Sequence, residues 1–144
     1  MIIWLTGQPS SGKTKIAQEL LKTQKFKNAF LIDGDRLRDL FNNKDYSEKG
    51  RRDNVDLAQS LAYYINDNHK HVIVAMVSPY RDQRETFKEK IGDNIKEFYI
   101  HTTETRGRED FHVNNYEMPL TNFISINTTG KTPLESAELI IKLL

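Results

Sequence analysis

Residues 7–14 read Gly-Gln-Pro-Ser-Ser-Gly-Lys-Thr, directly after the apolar run Ile2-Ile3-Trp4-Leu5 and directly before a stretch of helical periodicity. This is a GxxxxGK[ST] pattern in the context that gives it meaning, a buried strand running into a loop that opens a helix. The backbone N–H groups of such a loop converge, and the positive end of the helix dipole adds to them, so the natural guest is a polyphosphate. Gly7 and Gly12 supply torsions and a close approach that a Cβ obstructs, with Ser10 and Ser11 between them on the phosphate side. Lys13 has the reach for the β- and γ-phosphates, and the Thr14 hydroxyl can complete the shell of a Mg²⁺ ion. A chance loop in an unrelated α/β protein would require neither the strand nor the helix.

The rest of the chain extends the same alternation. Apolar runs at Ile2–Leu5, Ala29–Ile32, Val72–Val77, Phe98–Ile100 and Phe123–Ile126 are separated by helical stripes such as Ile16, Ala17, Leu20, Leu21 and Val55, Ala58, Leu61, Ala62, Ile65. Short strands alternating with amphipathic helices predict an α/β fold, a three-layer sandwich around a mainly parallel five-stranded sheet. Thr132-Pro133-Leu134-Glu135 is a capping box with proline at the first helical position, which starts a last helix. A length of 144 residues suits one domain over 1–144. The polar, aperiodic stretch 102–122 has the character of a mobile lid or binding loop.

A net charge of +1 points to neither nucleic acid nor an anionic membrane as partner. With no cysteine there are no disulfides, thiolate metal sites or cysteine nucleophiles. No leader pattern and no membrane-length apolar run is visible, so a soluble, cytoplasmic protein is expected.

The second apolar run ends in Asp33-Gly34-Asp35, followed by Arg36-Leu37-Arg38. Two carboxylates at a strand exit, on a strand expected to neighbour the first, lie near the phosphate loop. One can serve Mg²⁺ and the other can take a proton from an attacking hydroxyl, with Arg38 on an anionic acceptor. A solvated Asp-Gly turn is the competing reading. The third run ends in Ser78, where many such enzymes carry a metal-orienting aspartate, and this shifts the metal role to the second strand. Arg51 and Asn54 continue the apolar stripe of the third helix past its end and so point into a cleft, whereas Arg52 and Asp53 fall on the surface. Arg81 stands at a strand's carboxyl end and suits phosphate or sulfate, with Arg84 as helix surface. Arg106 and Arg108 suit a cationic lid over ATP. The loop 127–131 lacks a guanine-reading Asn-Lys-x-Asp and is expected to border adenine. None of the four histidines has ligand spacing.

Taken together, Leu31-Ile32-Asp33-Gly34-Asp35 with Arg38, Tyr46-Ser47-Glu48 with Arg51 and Asn54, Ser78-Pro79-Tyr80-Arg81 with Arg84, and Tyr116-Glu117-Met118-Pro119 resemble the adenylylsulfate kinases in order and spacing. The resemblance implies a P-loop NTPase-type fold and transfer of the ATP γ-phosphate to the 3′-hydroxyl of adenosine 5′-phosphosulfate, with ATP and Mg²⁺ required. It implies Lys13 and Asp35 as catalytic groups, Thr14 and Asp35 at the metal, and Asp33, Arg38, Tyr46, Arg51, Asn54, Ser78, Arg81 and Phe111 around the acceptor. Tyr46 stands where the family has a stacking phenylalanine, and Phe111 would supply the other face of the sandwich. The partner is a small molecule, and a homodimer is compatible. Three departures stand out: an abbreviated lid, Gln8-Pro9-Ser10 in place of Leu-Ser-Gly, and Asp56 where a basic residue is common. A kinase for another nucleotide-like or sugar acceptor and a non-catalytic ATP-binding module remain open alternatives.

Overall fold

The computed structural model describes residues 1–107 and 111–144. In chain order the elements are β1 (Ile2–Thr6), α1 (Lys13–Lys22), β2 (Phe30–Asp33), α2 (Gly34–Phe41), α3 (Glu48–Asp67), β3 (Val72–Ala75), α4 (Arg81–Ile91), β4 (Ile95–His101), β5 (Ile124–Asn127) and α5 (Pro133–Lys142). The strands form one sheet in the order β2-β3-β1-β4-β5, every pairing parallel. Among the described residues no helix is long and apolar enough to cross a membrane.

A central parallel strand is covered on both faces, and β1 is buried along its whole length. Its alternation sorts the core. Ile3 and Leu5 face Ile16, Ala17 and Leu20 of α1 and Ala137 and Ile140 of α5. Ile2 and Trp4 face Leu37 of α2, Val55, Ala58 and Ala62 of α3 and Phe87 of α4. The expected sandwich is therefore α1/α5, sheet, α2/α3/α4. The expected box at α5 is complete: Glu135 N donates to Thr132 Oγ1 (3.2 Å) and Thr132 N to Glu135 Oε1 (3.3 Å).

Two expectations need correction. β2 is not the neighbour of β1, because β3 lies between them. Nor does the third strand reach Val77: it ends at Ala75, and the chain then turns through Ser78 at φ 47°. The Asp-Gly sequence after β2 is no simple turn either. Asp33 caps α2, its carboxylate accepting from Arg36 N (3.1 Å), so the helix starts at Gly34.

Between α2 and α3 the chain doubles back over the first turn of α3. A Cβ on Gly50 would lie 2.1 Å from Asp45 O and 2.5 Å from Asp45 Cβ, so only glycine fits that crossing. Gly50→Ala is expected to cost about 2 kcal/mol, although alanine is the better helix former, because overpacking outweighs propensity. A lowered urea midpoint at unchanged m-value is the check.

Arg84, expected on the helix surface, is buried instead. Its Nε donates to Glu97 Oε1 of β4 at 2.9 Å, with both side chains at most 2% exposed. Lys88, one turn on, pairs with the second oxygen of the same carboxylate. The two cations then reach outward: Arg84 donates to Ser78 O and Glu117 O, and Lys88 Nζ donates to Thr121 O (2.9 Å) and Asn122 O (3.2 Å). One buried anion thus holds two cations that fix the path of residues 117–122.

Candidate active site

All the loops that follow strands gather at one end of the sheet, the usual ligand side of an open parallel α/β fold. There a pocket of about 550 Å³ is lined by the phosphate loop from Pro9 to Lys15, by Asp33, Gly34 and Asp35 after β2, by Met76 and Val77 after β3, and by Thr128, Lys131, Pro133 and Ser136 after β5.

The loop has the backbone its glycines foretell. Gly7 (φ 154°) passes so close to β4 that a Cβ would lie 2.1 Å from Ile100 O, and Gly12 (φ 108°) turns the chain into α1. Ser10 also adopts a positive φ, 63°. Lys13 is 92% buried, its side chain curled over the loop: Nζ donates to Gly7 O and Gln8 O at 2.8 Å and to Ser11 Oγ at 3.3 Å. Arg106, which also lines the pocket, grips the loop through Ser10 O (3.3 Å) and Ser11 O (3.1 Å), and it reaches Thr128 O (3.1 Å). Thr128 Oγ1 donates to Ser11 O at 2.9 Å, so the loop after β5 is riveted to the phosphate loop. Arg106 is anchored by Glu104 (2.9 Å), whose carboxyl is held below its ordinary range by the Gly130 N–H and then by Arg106.

Across the pocket, Thr14 Oγ1 donates to Asp33 Oδ1 at 2.7 Å. The intervening β3 therefore does not keep the second strand's acids from the loop. Asp33 joins the loop threonine to the first turn of α2, and Asp35 lines the same pocket two residues on. Asn54, 5% exposed, donates to Gly34 O at 3.3 Å and so braces the backbone between the two acids. The extended polar stripe of α3 does point inward at that position.

The remaining residues assigned to the acceptor do not line this pocket. Arg38 Nη1 donates to Asn43 O, Asn43 Oδ1 and Asp45 O at 3.0–3.2 Å, while its guanidinium lies 4.1 Å from the centre of the exposed Tyr46 ring. Among the described residues no hydrogen bond or ion pair holds the Arg51 side chain, which is half-buried on the first turn of α3. Ser78 is turned into the core, its hydroxyl accepting from Trp4 Nε1 at 3.0 Å, which corrects its assignment to the acceptor. Arg81 donates through Nε (3.0 Å) and Nη2 (2.9 Å) to Met118 O. Phe111 is exposed, and Arg108 lies outside the described residues. Arg52, expected as plain surface charge, pairs with Asp82 at 2.9 Å and lies 4.2 Å over the Tyr80 ring. Asp56 accepts from Gln83 Nε2 of α4 (2.8 Å), so its carboxylate serves the contact between two helices.

The segment after Phe111 is pinned to the body. Gln8 and Val113 exchange two hydrogen bonds of 2.8 Å. Tyr116 OH meets Thr6 Oγ1 at 2.9 Å, and burial pushes this phenol up to about 12. Glu117 N donates to Pro79 O (2.9 Å), and Glu117 Oε1 accepts from Arg81 N (3.1 Å). Sequence reasoning missed Gln8, Glu97 and the inward role of Arg84. A glutamate within the apolar strand Ile95–His101 was the available signal for Arg84, since a buried carboxylate needs a cation.

Comparison with known proteins agrees with this geometry. The family model described as Adenylylsulphate kinase matches residues 1–141. An adenylyl-sulfate kinase of Pseudomonas aeruginosa is 32% identical over 142 residues, 93% of this chain and 72% of that protein. A cytidine diphosphoramidate kinase of Campylobacter jejuni is 30% identical over 146 residues, 97% of this chain and 84% of that protein. Among solved structures, the Mycobacterium tuberculosis APS kinase in complex with AMPPNP and APS superposes with a TM-score of 0.82 at 21% identity, covering 99% of this chain and 95% of that one.

Proposed function

The chain belongs to the adenylylsulphate kinase family, a family of ATP-using kinases that phosphorylate a hydroxyl group, and from that premise we propose that its acceptor is a nucleotide carrying an anionic 5′ group. The first candidate is adenosine 5′-phosphosulfate, phosphorylated on its 3′-hydroxyl. The observation that carries the reading is the pairing of Thr14 with Asp33 across a pocket that Asp35 also lines, which sets a carboxylate opposite the seat of the transferred phosphate.

Residue roles follow from that placement. Backbone N–H groups of residues 8–14 and the Lys13 ammonium steady the donor phosphates, and Arg106, on the wall of the same pocket, holds the loop in shape beside the ATP. Thr128, Lys131 and Pro133 border the adenine. Asp35 accepts the proton of the attacking hydroxyl and orients its oxygen in line. A Cβ on Gly34 would sit 3.2 Å from Met76 Cγ, so the turn between the acids rests directly on the pocket floor. Tyr46 and Phe111 take the acceptor's base, and Arg38, Arg51 and Arg81 lie on its anionic side.

Magnesium fits the donor set. Thr14 and Asp33 offer two hard oxygens 2.7 Å apart, with Asp35 nearby. Among the described residues no group of three His, Cys, Asp or Glu forms a metal cage. Few protein ligands, with phosphate and water completing the shell, is the usual coordination of this ion. When bound it neutralises charge on the bridging and transferred phosphates.

A second reading is favoured by one observation. The Campylobacter jejuni cytidine diphosphoramidate kinase matches 97% of this chain at 30% identity, as broadly as the Pseudomonas aeruginosa adenylyl-sulfate kinase does. A cytidine nucleotide bearing a substituted diphosphate is therefore the alternative acceptor. ADP release measured with adenosine 5′-phosphosulfate, cytidine 5′-diphosphate derivatives and sugar phosphates, with product masses, tests both. Stimulation by adenosine 5′-phosphosulfate alone is the expected result; selective stimulation by the cytidine compounds moves the assignment to the alternative, and acceptor-independent hydrolysis overturns both.

A further inference from the structure

The phosphate loop carries a side chain that faces away from the phosphates. Gln8 Nε2 donates to Val113 O and Val113 N donates to Gln8 Oε1, both at 2.8 Å, so one amide side chain imitates a neighbouring β-strand. Val113 is 7% exposed, and a buried N–H of that kind is costly to leave unpaired. The main-chain oxygen of Gln8 meanwhile accepts from Lys13 Nζ at 2.8 Å. A single residue thus touches the ammonium that serves the donor and the backbone two residues beyond Phe111.

We propose that Gln8 is a positioning residue for the acceptor side, registering the segment that carries Phe111 against the donor loop through its paired hydrogen bonds to Val113. The proposal rests on the reading above that Phe111 stacks on the acceptor's base. Gln8 makes it specific to this chain's loop, because an apolar residue at that position offers no acceptor to the Val113 N–H and leaves Val113 O with Tyr116 N (3.2 Å) alone. Thr6 to Tyr116 is a second tie, three residues further on.

The test compares Gln8→Leu and Gln8→Glu with the parent. Gln8→Glu keeps an acceptor for Val113 N–H and, once ionised, loses the donor for Val113 O. Hydrogen exchange at the Val113 amide, read by NMR without any acceptor present, is expected to accelerate about tenfold or more in Gln8→Leu and less in Gln8→Glu. With adenosine 5′-phosphosulfate, or the panel compound that is turned over best, KM for the acceptor is expected to rise about tenfold in Gln8→Leu, with partial rescue in Gln8→Glu and a smaller change in KM for ATP. Unchanged Val113 exchange overturns the clamp. Accelerated exchange with acceptor and ATP constants moving together, or not at all, overturns the positioning role. If no panel compound is phosphorylated by the parent, the acceptor reading falls, and with it the role assigned to Gln8, while the exchange result still reports on the clamp.

Discussion

Lys13→Ala is expected to lower kcat/KM for ATP-dependent transfer by about a thousandfold, ~4 kcal/mol of transition-state stabilisation, the scale of losing a preorganised charge contact. The residue is already confined: its ammonium is buried among Gly7 O, Gln8 O and Ser11 Oγ, and so it reaches phosphate by a short swing and little lost freedom. The same contacts mean that the lysine also ties the loop together. A stability loss of about 1–2 kcal/mol should accompany the loss of turnover, visible as a lower thermal midpoint with an unchanged far-UV spectrum. The comparison to make is single-turnover ADP formation at saturating acceptor. Activity within tenfold of the parent would remove Lys13 from the transition state.

Asp35→Asn is expected to reduce turnover by about 10²–10⁴-fold, the usual contribution of a general base, without loss of stability, since this carboxylate is not the cap of α2. Asp33→Asn offers the contrast. Asp33 accepts through both oxygens, Oδ1 from Thr14 and Oδ2 from Arg36 N, so the amide keeps one of the two: with its oxygen on Arg36 N the cap of α2 should persist, while its NH2 faces the Thr14 hydroxyl as a donor. What Asp33→Asn loses is the negative charge beside the threonine, so its defect should grow as Mg²⁺ is lowered, whereas that of Asp35→Asn should not. Titrating Mg²⁺ against rate in both variants separates the roles. An Asp35→Asn enzyme with parental kcat ends the assignment of Asp35 as base.

Much of the donor half is legible in the sequence because phosphate binding is local. Gly7 to Thr14 needs only one strand, one loop and one helix start, and each announces itself within fifteen residues of chain. The five strands are equally plain, since buried parallel strands read as unbroken apolar runs. Strand order is not local, and the intervening position of β3 has no signature in β2 or β1. The Asp33 cap was obscured because Asp-Gly also fits a turn. The acceptor half is least legible because its cations compete for partners: Arg38, Arg81 and Arg84 look alike as exits from strands and helices. Only tertiary packing sends Arg38 to Asn43 and Asp45, Arg81 to Met118 O, and Arg84 to Glu97. Helical periodicity assigns a face, and so it foretold that Asn54 points inward, while the residue after a strand can turn either way, and Ser78 turns to Trp4.

The carboxylate at the end of α4's two cations has a bearing on how this enzyme meets concentrated electrolyte. Small ions screen charges that water reaches, and they will weaken outward pairs such as Lys49 with Asp53, but Glu97 and Arg84 are sealed from solvent. The course of residues 117–122 is thereby insulated from ionic strength. Whatever salt does to the outward pairs, this stretch of backbone should keep its shape.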